Sequence, residues 1–238
     1  MKIINNYKNI ESQVKKICEV NKQKPVLILA VSKTFPLEKV LELHEYGVKD
    51  FGENYAQELK QKNEEINSLP NHQKYKDIRW HFIGHLQSNK VKYIAEYVYA
   101  IHSVDSLKLA QEISKQAIKF GRINNPIKIF LQIHTSNEST KSGLNPNDIF
   151  EVVKEVIKLE GVNLIGLMTI TALTDATKER IPEFILLKKL LFEINQTLNL
   201  NLTELSMGMS DDFEYAIENG STIVRIGSAI FGERDYSN

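Results

Sequence analysis

Short apolar stretches alternate with longer segments of helical period along all 238 residues, and this alternation limits the possible folds more than any other property of the chain. The stretches predicted as strands are Val26–Ser32, Asp50–Glu53, Ile78–Ile83, Val98–Ser103, Ile127–His134, Leu164–Ile170, Glu204–Met207 and Ile223–Gly227. A helical pattern over Asn5–Asn21 precedes the first of them. Others cover Leu37–Tyr46, Tyr55–Ile66, Ser106–Phe120, Asn147–Leu159 and Pro182–Leu198. Gly47, Gly121, Gly161 and Gly220 follow several of these segments, as left-handed C-caps require. Near-continuous apolar strands separated by helices belong to parallel sheets covered on both faces. Eight βα repeats in so short a chain predict an α/β fold, a single (β/α)8 TIM barrel with an extra N-terminal helix and one domain over residues 1–238. A doubly wound open sheet is the alternative architecture. No Pro/Gly/Ser-rich linker, low-complexity tract or close internal repeat divides the chain.

Thirty basic residues balance thirty acidic ones, so the chain has no global charge that would favour nucleic acid or an anionic membrane. The start, Met1-Lys-Ile-Ile-Asn-Asn-Tyr-Lys8, lacks the apolar core of a signal peptide, and no apolar run approaches the length of a membrane span. A cytoplasmic location is expected. The one cysteine, Cys18, excludes an internal disulfide and lies in an amphipathic helical pattern, where a buried thiol is the expected role. The sequons at Asn137, Asn195, Asn201 and Asn219 carry no meaning without secretion.

In a (β/α)8 barrel the chemistry gathers at the C-terminal ends of the strands. Strand one delivers Lys33 to its tip, where partial desolvation would lower the amine's pKa and ready it to attack a carbonyl and form an imine. A lysine snorkelling at a strand end is the other reading. The loops after strands seven and eight are where such barrels often hold a phosphate, and here they offer Ser210, Gly227 and Ser228. Ser210 could equally cap the helix that follows it. Arg225, inside the last strand, would be a guanidinium buried in an α/β core, which needs a partner, and a ligand is one candidate. His81 and His85 have a spacing that ligates zinc on a helix, but the intervening Phe-Ile-Gly reads as strand and turn, so a metal is not expected. Asp211 and Asp212 suit a first helical turn better than acid/base work. Gln87–Lys90 with Lys92 reads as a solvated helix start.

Ala30-Val-Ser-Lys-Thr34, Phe51-Gly-Glu-Asn54, Trp80-His-Phe-Ile-Gly84, Leu86-Gln-Ser-Asn-Lys90 and Ser103-Val-Asp105 occur in this order. They are followed by Ser139-Thr-Lys-Ser-Gly143, Gly166-Leu-Met168, Leu205-Ser-Met-Gly-Met-Ser-Asp-Asp212 and Val224-Arg-Ile-Gly-Ser-Ala-Ile-Phe-Gly232. In number, order and spacing these motifs resemble the pyridoxal phosphate (PLP) homeostasis protein family, whose fold is that of the alanine racemase barrel domain. The resemblance spans almost the whole chain. It implies a covalent imine between Lys33 and PLP, a phosphate site at Ser210, Gly227 and Ser228, and Arg225 facing the pyridine nitrogen. Asn54, Met168, Ser206 and Met207 would line the ring or its edge. His85, His134 and Thr171 depart from the family pattern and would alter the mouth of the site.

The resemblance implies a carrier that stores PLP or delivers it to PLP-dependent apoenzymes, with no catalysis of its own and a preference for the monomer. The alternative is a PLP enzyme such as an amino-acid racemase, which needs an acid/base on each face of the substrate carbon. The racemase takes its second one, a tyrosine, from an additional domain across a dimer, and nothing identified in this sequence replaces it. A phosphate-binding barrel enzyme without PLP is a further possibility.

Overall fold

The computed structural model describes residues 2–136, 142–171 and 177–232. Eight parallel strands close into a barrel in sequence order: β1 Leu27–Val31, β2 Asp50–Glu53, β3 Arg79–Phe82, β4 Ala100–Val104, β5 Ile127–Gln132, β6 Val162–Met168, β7 Glu204–Met209 and β8 Ile223–Ile226. β1 pairs with β2 through Ala30 and Phe51 and with β8 through Leu27 and Ile223, which leaves no sheet edge. The expected open-sheet alternative is thereby excluded. Every predicted strand is present, with its ends within two residues of the expected ones.

The helices are α1 Lys2–Val20, α2 Leu37–Tyr46, α3 Ala56–Ser68, α4 Leu107–Lys119, α5 Ile149–Val156, α6 Ile181–Leu198, α7 Phe213–Glu218 and α8 Ser228–Phe231. Two segments differ from their sequence pattern. The expected helix start at Gln87–Lys90 is instead a 3₁₀ stretch, Ser88–Tyr93, with Lys90 and Lys92 laid over the Tyr93 ring. α5 begins later than expected because Asn145 caps a 3₁₀ turn, accepting from the Asn147 amide at 2.9 Å with Pro146 next in line. The four glycines expected as caps all take positive φ, from +69° to +117°.

Alternation along the strands sorts the core into two shells. Leu29, Val31, Ile83, Ala100, Phe130 and Met168 form a small apolar cluster inside the barrel. Ile28, Ala30, Phe51 and Ile101 join the larger cluster packed under the helices. α1 buries Ile3, Tyr7, Ile10, Val14 and Cys18, one side chain per turn, against α8, α7 and α2. At about 1.5–3 kcal/mol for each large apolar side chain removed from water, this stripe fixes the helix in place. The Asn6 side-chain amide also donates to the Ile230 carbonyl of α8 at 2.9 Å. Among the described residues no helix is long and apolar enough to cross a membrane.

Candidate functional site

The C-terminal ends of the strands surround a cavity of about 250 Å³. Six of the nine residues expected at the cofactor site line it: Lys33, Asn54, Ser210, Arg225, Gly227 and Ser228. They come from four different strand ends, so the closed barrel brings together side chains up to 195 positions apart, from Lys33 to Ser228.

Lys33 stands on a tight turn just beyond β1. The Phe35 amide donates back to the Ser32 carbonyl at 3.1 Å, and Thr34 adopts φ +67°, unusual for a β-branched residue. Several contacts hold this conformation. The Thr34 amide donates to Glu58 Oε1 at 2.7 Å and its hydroxyl to the Lys33 carbonyl at 2.6 Å. Beneath the turn, the buried Lys62 ammonium donates to the Ser32 carbonyl, Glu53 Oε1 and Glu58 Oε1 at 2.9, 2.6 and 2.8 Å. The Ser32 hydroxyl also donates to Glu53 Oε1, at 2.6 Å. Burial pushes the Glu53 carboxyl up to about 7 even with Lys62 beside it. The strand tip is therefore clamped to β2 and α3 by charge-assisted hydrogen bonds.

Arg225 is 5% exposed. Its Nη1 donates to the Ser206 carbonyl at 2.7 Å and to Ser206 Oγ at 3.0 Å, and Nη2 donates to the Thr169 carbonyl at 2.9 Å. These are neutral acceptors. Burial lowers the guanidinium to about 10, with Asp212 opposing that shift from a distance. The cation keeps its charge at neutral pH and faces a cavity with room for a polar ligand group.

Ser210, in the loop after β7, and Ser228, the first residue of α8, both line the cavity. Ser210 does not cap α7. The cap position belongs to Asp212, whose Oδ1 accepts from the Met209 amide at 2.6 Å and whose Oδ2 accepts from Arg180 at 2.9 Å. Ser210 Oγ instead accepts a long bond from the Ala229 amide, 3.4 Å, joining that loop to α8. A Cβ on Gly227 would meet Val31 at an ordinary 3.5 Å, so the protein's own packing does not require glycine there. Gly84, by contrast, lies so close to the Asn54 backbone that a Cβ would stand 2.2 Å from its carbonyl oxygen.

Met168, Ser206 and Met207, expected at the ring or its edge, do not line the cavity. Met168 is fully buried in the inner apolar cluster, and Ser206 lies behind Arg225. Met207 faces the outer shell, because alternation turns it away from its neighbour Ser206. Asn54 Oδ1 is buried with no hydrogen-bond partner among the described residues. His85 and His134 line a second cavity, about 200 Å³, which shares Asn54, Ile83 and Ile170 with the first. Thr171 instead donates to Asp212 at 3.2 Å. Residues 139–141 of the Ser139–Gly143 motif and the sequon at Asn137 lie outside the described residues.

His81 and His85 do not face a common point. His81 is buried inside the barrel, whereas His85 lies 63% exposed near Asp105. No group of three or more metal-binding side chains occurs among the described residues. Sequence reasoning missed the apolar walls Val31, Phe35 and Ile83 and the Lys62 clamp. A lysine four residues after Glu58 on a helix was the available signal for the clamp.

The alanine racemase N-terminal domain family model matches residues 5–235. The pyridoxal phosphate homeostasis protein of Pseudomonas aeruginosa is 42% identical over 236 residues, covering 98% of this chain and 96% of that protein. The structure of PipY from Synechococcus elongatus with PLP bound superposes with a TM-score of 0.78 at 34% identity, covering 92% of this chain and 99% of PipY. Alanine racemase of Clostridium difficile shares the fold, with a TM-score of 0.74 at 16% identity over 99% of this chain and 58% of its own. With close relatives matched over nearly its full length and a closed barrel of the same architecture, this chain belongs to the pyridoxal phosphate homeostasis protein family.

Proposed function

We propose that the chain is a cytoplasmic PLP carrier, a monomeric single-domain barrel that holds the cofactor on Lys33 for storage or delivery to PLP-dependent apoenzymes. The observation that carries this reading is the convergence, in one cavity, of Lys33, the buried Arg225 cation with only neutral hydrogen-bond acceptors, and the Ser210 and Ser228 hydroxyls. This donor set fits an aldehyde-bearing ring with a phosphate at one end. When bound, PLP supplies an aldehyde for an amine to condense with and a pyridine ring that withdraws electrons.

The chain's residues then divide the work. Lys33 supplies the amine, held by the clamped turn at the strand tip. Ser210, Ser228 and the uncovered backbone at Gly227 receive the phosphate. Arg225 donates to the ring nitrogen, and a permanent cation there disfavours protonation of that nitrogen, which restrains carbanion chemistry. Asn54 offers its unpartnered oxygen at the ring's edge. Two-base racemisation needs a second acid/base facing Lys33. Among the described residues that line the cavity, none is a tyrosine and Asp211 is the one carboxylate.

Borohydride reduction of the PLP-saturated protein, followed by intact mass and peptide mapping, tests the assignment. A single pyridoxyl phosphate adduct on Lys33 is expected, and Lys33→Ala should abolish it while keeping weaker, phosphate-anchored binding. Adducts scattered over surface lysines would overturn the reading. So would an unchanged imine in Lys33→Ala. Racemisation of an amino-acid panel that disappears in Lys33→Ala would instead make the protein an enzyme.

A further inference from the structure

A chain of buried polar side chains crosses the barrel interior and ends at Arg225. It begins near the N-terminal ends of the strands, where Arg79 pairs with Asp50. Asp50 Oδ1 lies 2.9 Å from His81 Nε2, His81 Nδ1 lies 2.9 Å from His102 Nε2, and His102 Nδ1 lies 2.8 Å from Ser206 Oγ. Ser206 Oγ accepts from Arg225 at 3.0 Å. His81, His102 and Ser206 are at most 2% exposed. The His102 ring stacks on Phe130, with centroids 4.1 Å apart. Below it, His81 faces a second opening of the barrel, shared with Tyr99 and Lys128.

The two ends dictate where each proton sits. Arg225 can only donate. Asp50 can only accept when ionised: burial raises its carboxyl, but the hydrogen bonds from His81 and Arg79 outweigh burial and hold it below the ordinary range. Burial keeps both imidazoles neutral, His102 most strongly. His81 must then carry its proton on Nε2 to serve Asp50, which leaves Nδ1 to accept from His102. His102 is likewise fixed with its proton on Nε2, and its Nδ1 accepts from the Ser206 hydroxyl, which accepts from Arg225. Every bond points from the cation toward the anion, and no proton is left to choice.

We propose that Asp50, His81, His102 and Ser206 are positioning residues for Arg225, a one-way hydrogen-bond relay through which an anion at the far end of the barrel fixes the guanidinium against the cofactor cavity. The cofactor part of this inference rests on the PLP reading above. A hydrophobic filling would stabilise the barrel as well or better, whereas this hydrogen-bond chain reaches Arg225, a cation that faces the cavity from within a strand.

Side-chain ¹⁵N NMR of the cofactor-free protein at about pH 7, where a neutral imidazole shows a distinct tautomer, tests the relay itself. Both His81 and His102 should be Nε2–H tautomers. In Asp50→Asn the new amide nitrogen turns toward His81 as its oxygen accepts from Arg79, so both rings should switch to Nδ1–H. An Nδ1–H or doubly protonated ring in the wild type, or an Asp50→Asn protein with unchanged tautomers, would overturn the relay. Release of PLP and the visible absorption of the bound cofactor test the coupling to the site. His102→Phe, which leaves Ser206 and His81 each short of a partner, should speed release about tenfold, whereas His102→Gln, able to donate at one end and accept at the other, should stay within about twofold of wild type. Equal release and spectra for wild type and His102→Phe would overturn the positioning role while leaving PLP binding intact. A wild-type protein that takes up no PLP would overturn the function reading, and the tautomers would still decide the relay.

Discussion

The Glu53 carboxyl is completely buried, and while its Oε1 meets Ser32 and Lys62, its Oε2 has no hydrogen-bond partner among the described residues. Desolvation is the larger influence on it, and the group sits at about 7 in the folded protein against an ordinary value of 4.5. An acid raised on folding binds more protons in the native state, so its contribution to stability falls as pH rises through that interval. Urea midpoints should therefore decline between about pH 5 and about pH 8, and Glu53→Gln should flatten this decline. An identical pH slope in the variant would show that Lys62 keeps Glu53 ionised throughout. The same cluster grips the turn that presents Lys33, so the variant's rate of PLP uptake reports whether the clamp also orders the amine. Lys33 itself was legible from the sequence because it ends an apolar run; its clamp was legible only as the i,i+4 pair Glu58 and Lys62, and nothing in the sequence placed that pair beneath the Lys33 turn.

Short elements on the C-terminal side of the barrel owe their positions to neighbours rather than to their own propensity. α8 has four residues, too few to be stable alone, and it carries Ser228. α1 supplies the missing support through its apolar stripe and through Asn6 bonding to Ile230. Ile10→Ala should cost about 2–5 kcal/mol in a denaturant titration, the usual range for a large-to-small core change. A loss below about 0.5 kcal/mol, the range of surface substitutions, would mean that α1 is only loosely attached. Between the loops after β2 and β3 the contact is backbone on backbone. Gly84→Ala must push Asn54 away, because a carbonyl oxygen at 2.2 Å cannot be accommodated by a side-chain rotation. PLP affinity should fall about tenfold or more in this variant, with the strands unchanged by circular dichroism, since displacing a single site contact is worth about 1.4 kcal/mol.

The whole barrel is closed by eight parallel pairings and wrapped by helices, and its exposed large apolar side chains come from several different elements. Val20 ends α1, Tyr46 ends α2, Ile118 lies on α4, and Ile185 and Phe192 lie on α6. Scattered exposed apolar residues are common on monomers, and a stable interface would need a larger contiguous apolar area, so the monomer proposed above is tested by mass. Light scattering with size exclusion should give 27.3 kDa at micromolar concentration. A mass twice as large, persisting on dilution, would refute the monomer. Zero formal net charge adds a corollary: weak self-association at high concentration should increase near the isoelectric point of about 7.

Periodicity and punctuation in the chain already determined the eight strands and the six longer helices, because burial on both faces leaves an uninterrupted apolar signature and helices announce themselves by a 3.6-residue period; closure into a barrel rather than an open sheet was settled only by the pairing of β1 with β8. Lys33, Ser210, Arg225, Gly227 and Ser228 could be picked out for the same reason: each stands where a predicted element ends or where its chemistry contradicts its burial. Only the tertiary structure decided which way neighbouring residues face. A shift of one position separates Ser206, inside the barrel, from Met207, outside it, and a bulge between Ser206 and Met209 changes that register locally. The relay from Asp50 to Arg225 was likewise out of reach of the sequence, since hydrogen bonds among residues 19 to 104 positions apart exist only once the barrel has closed around them.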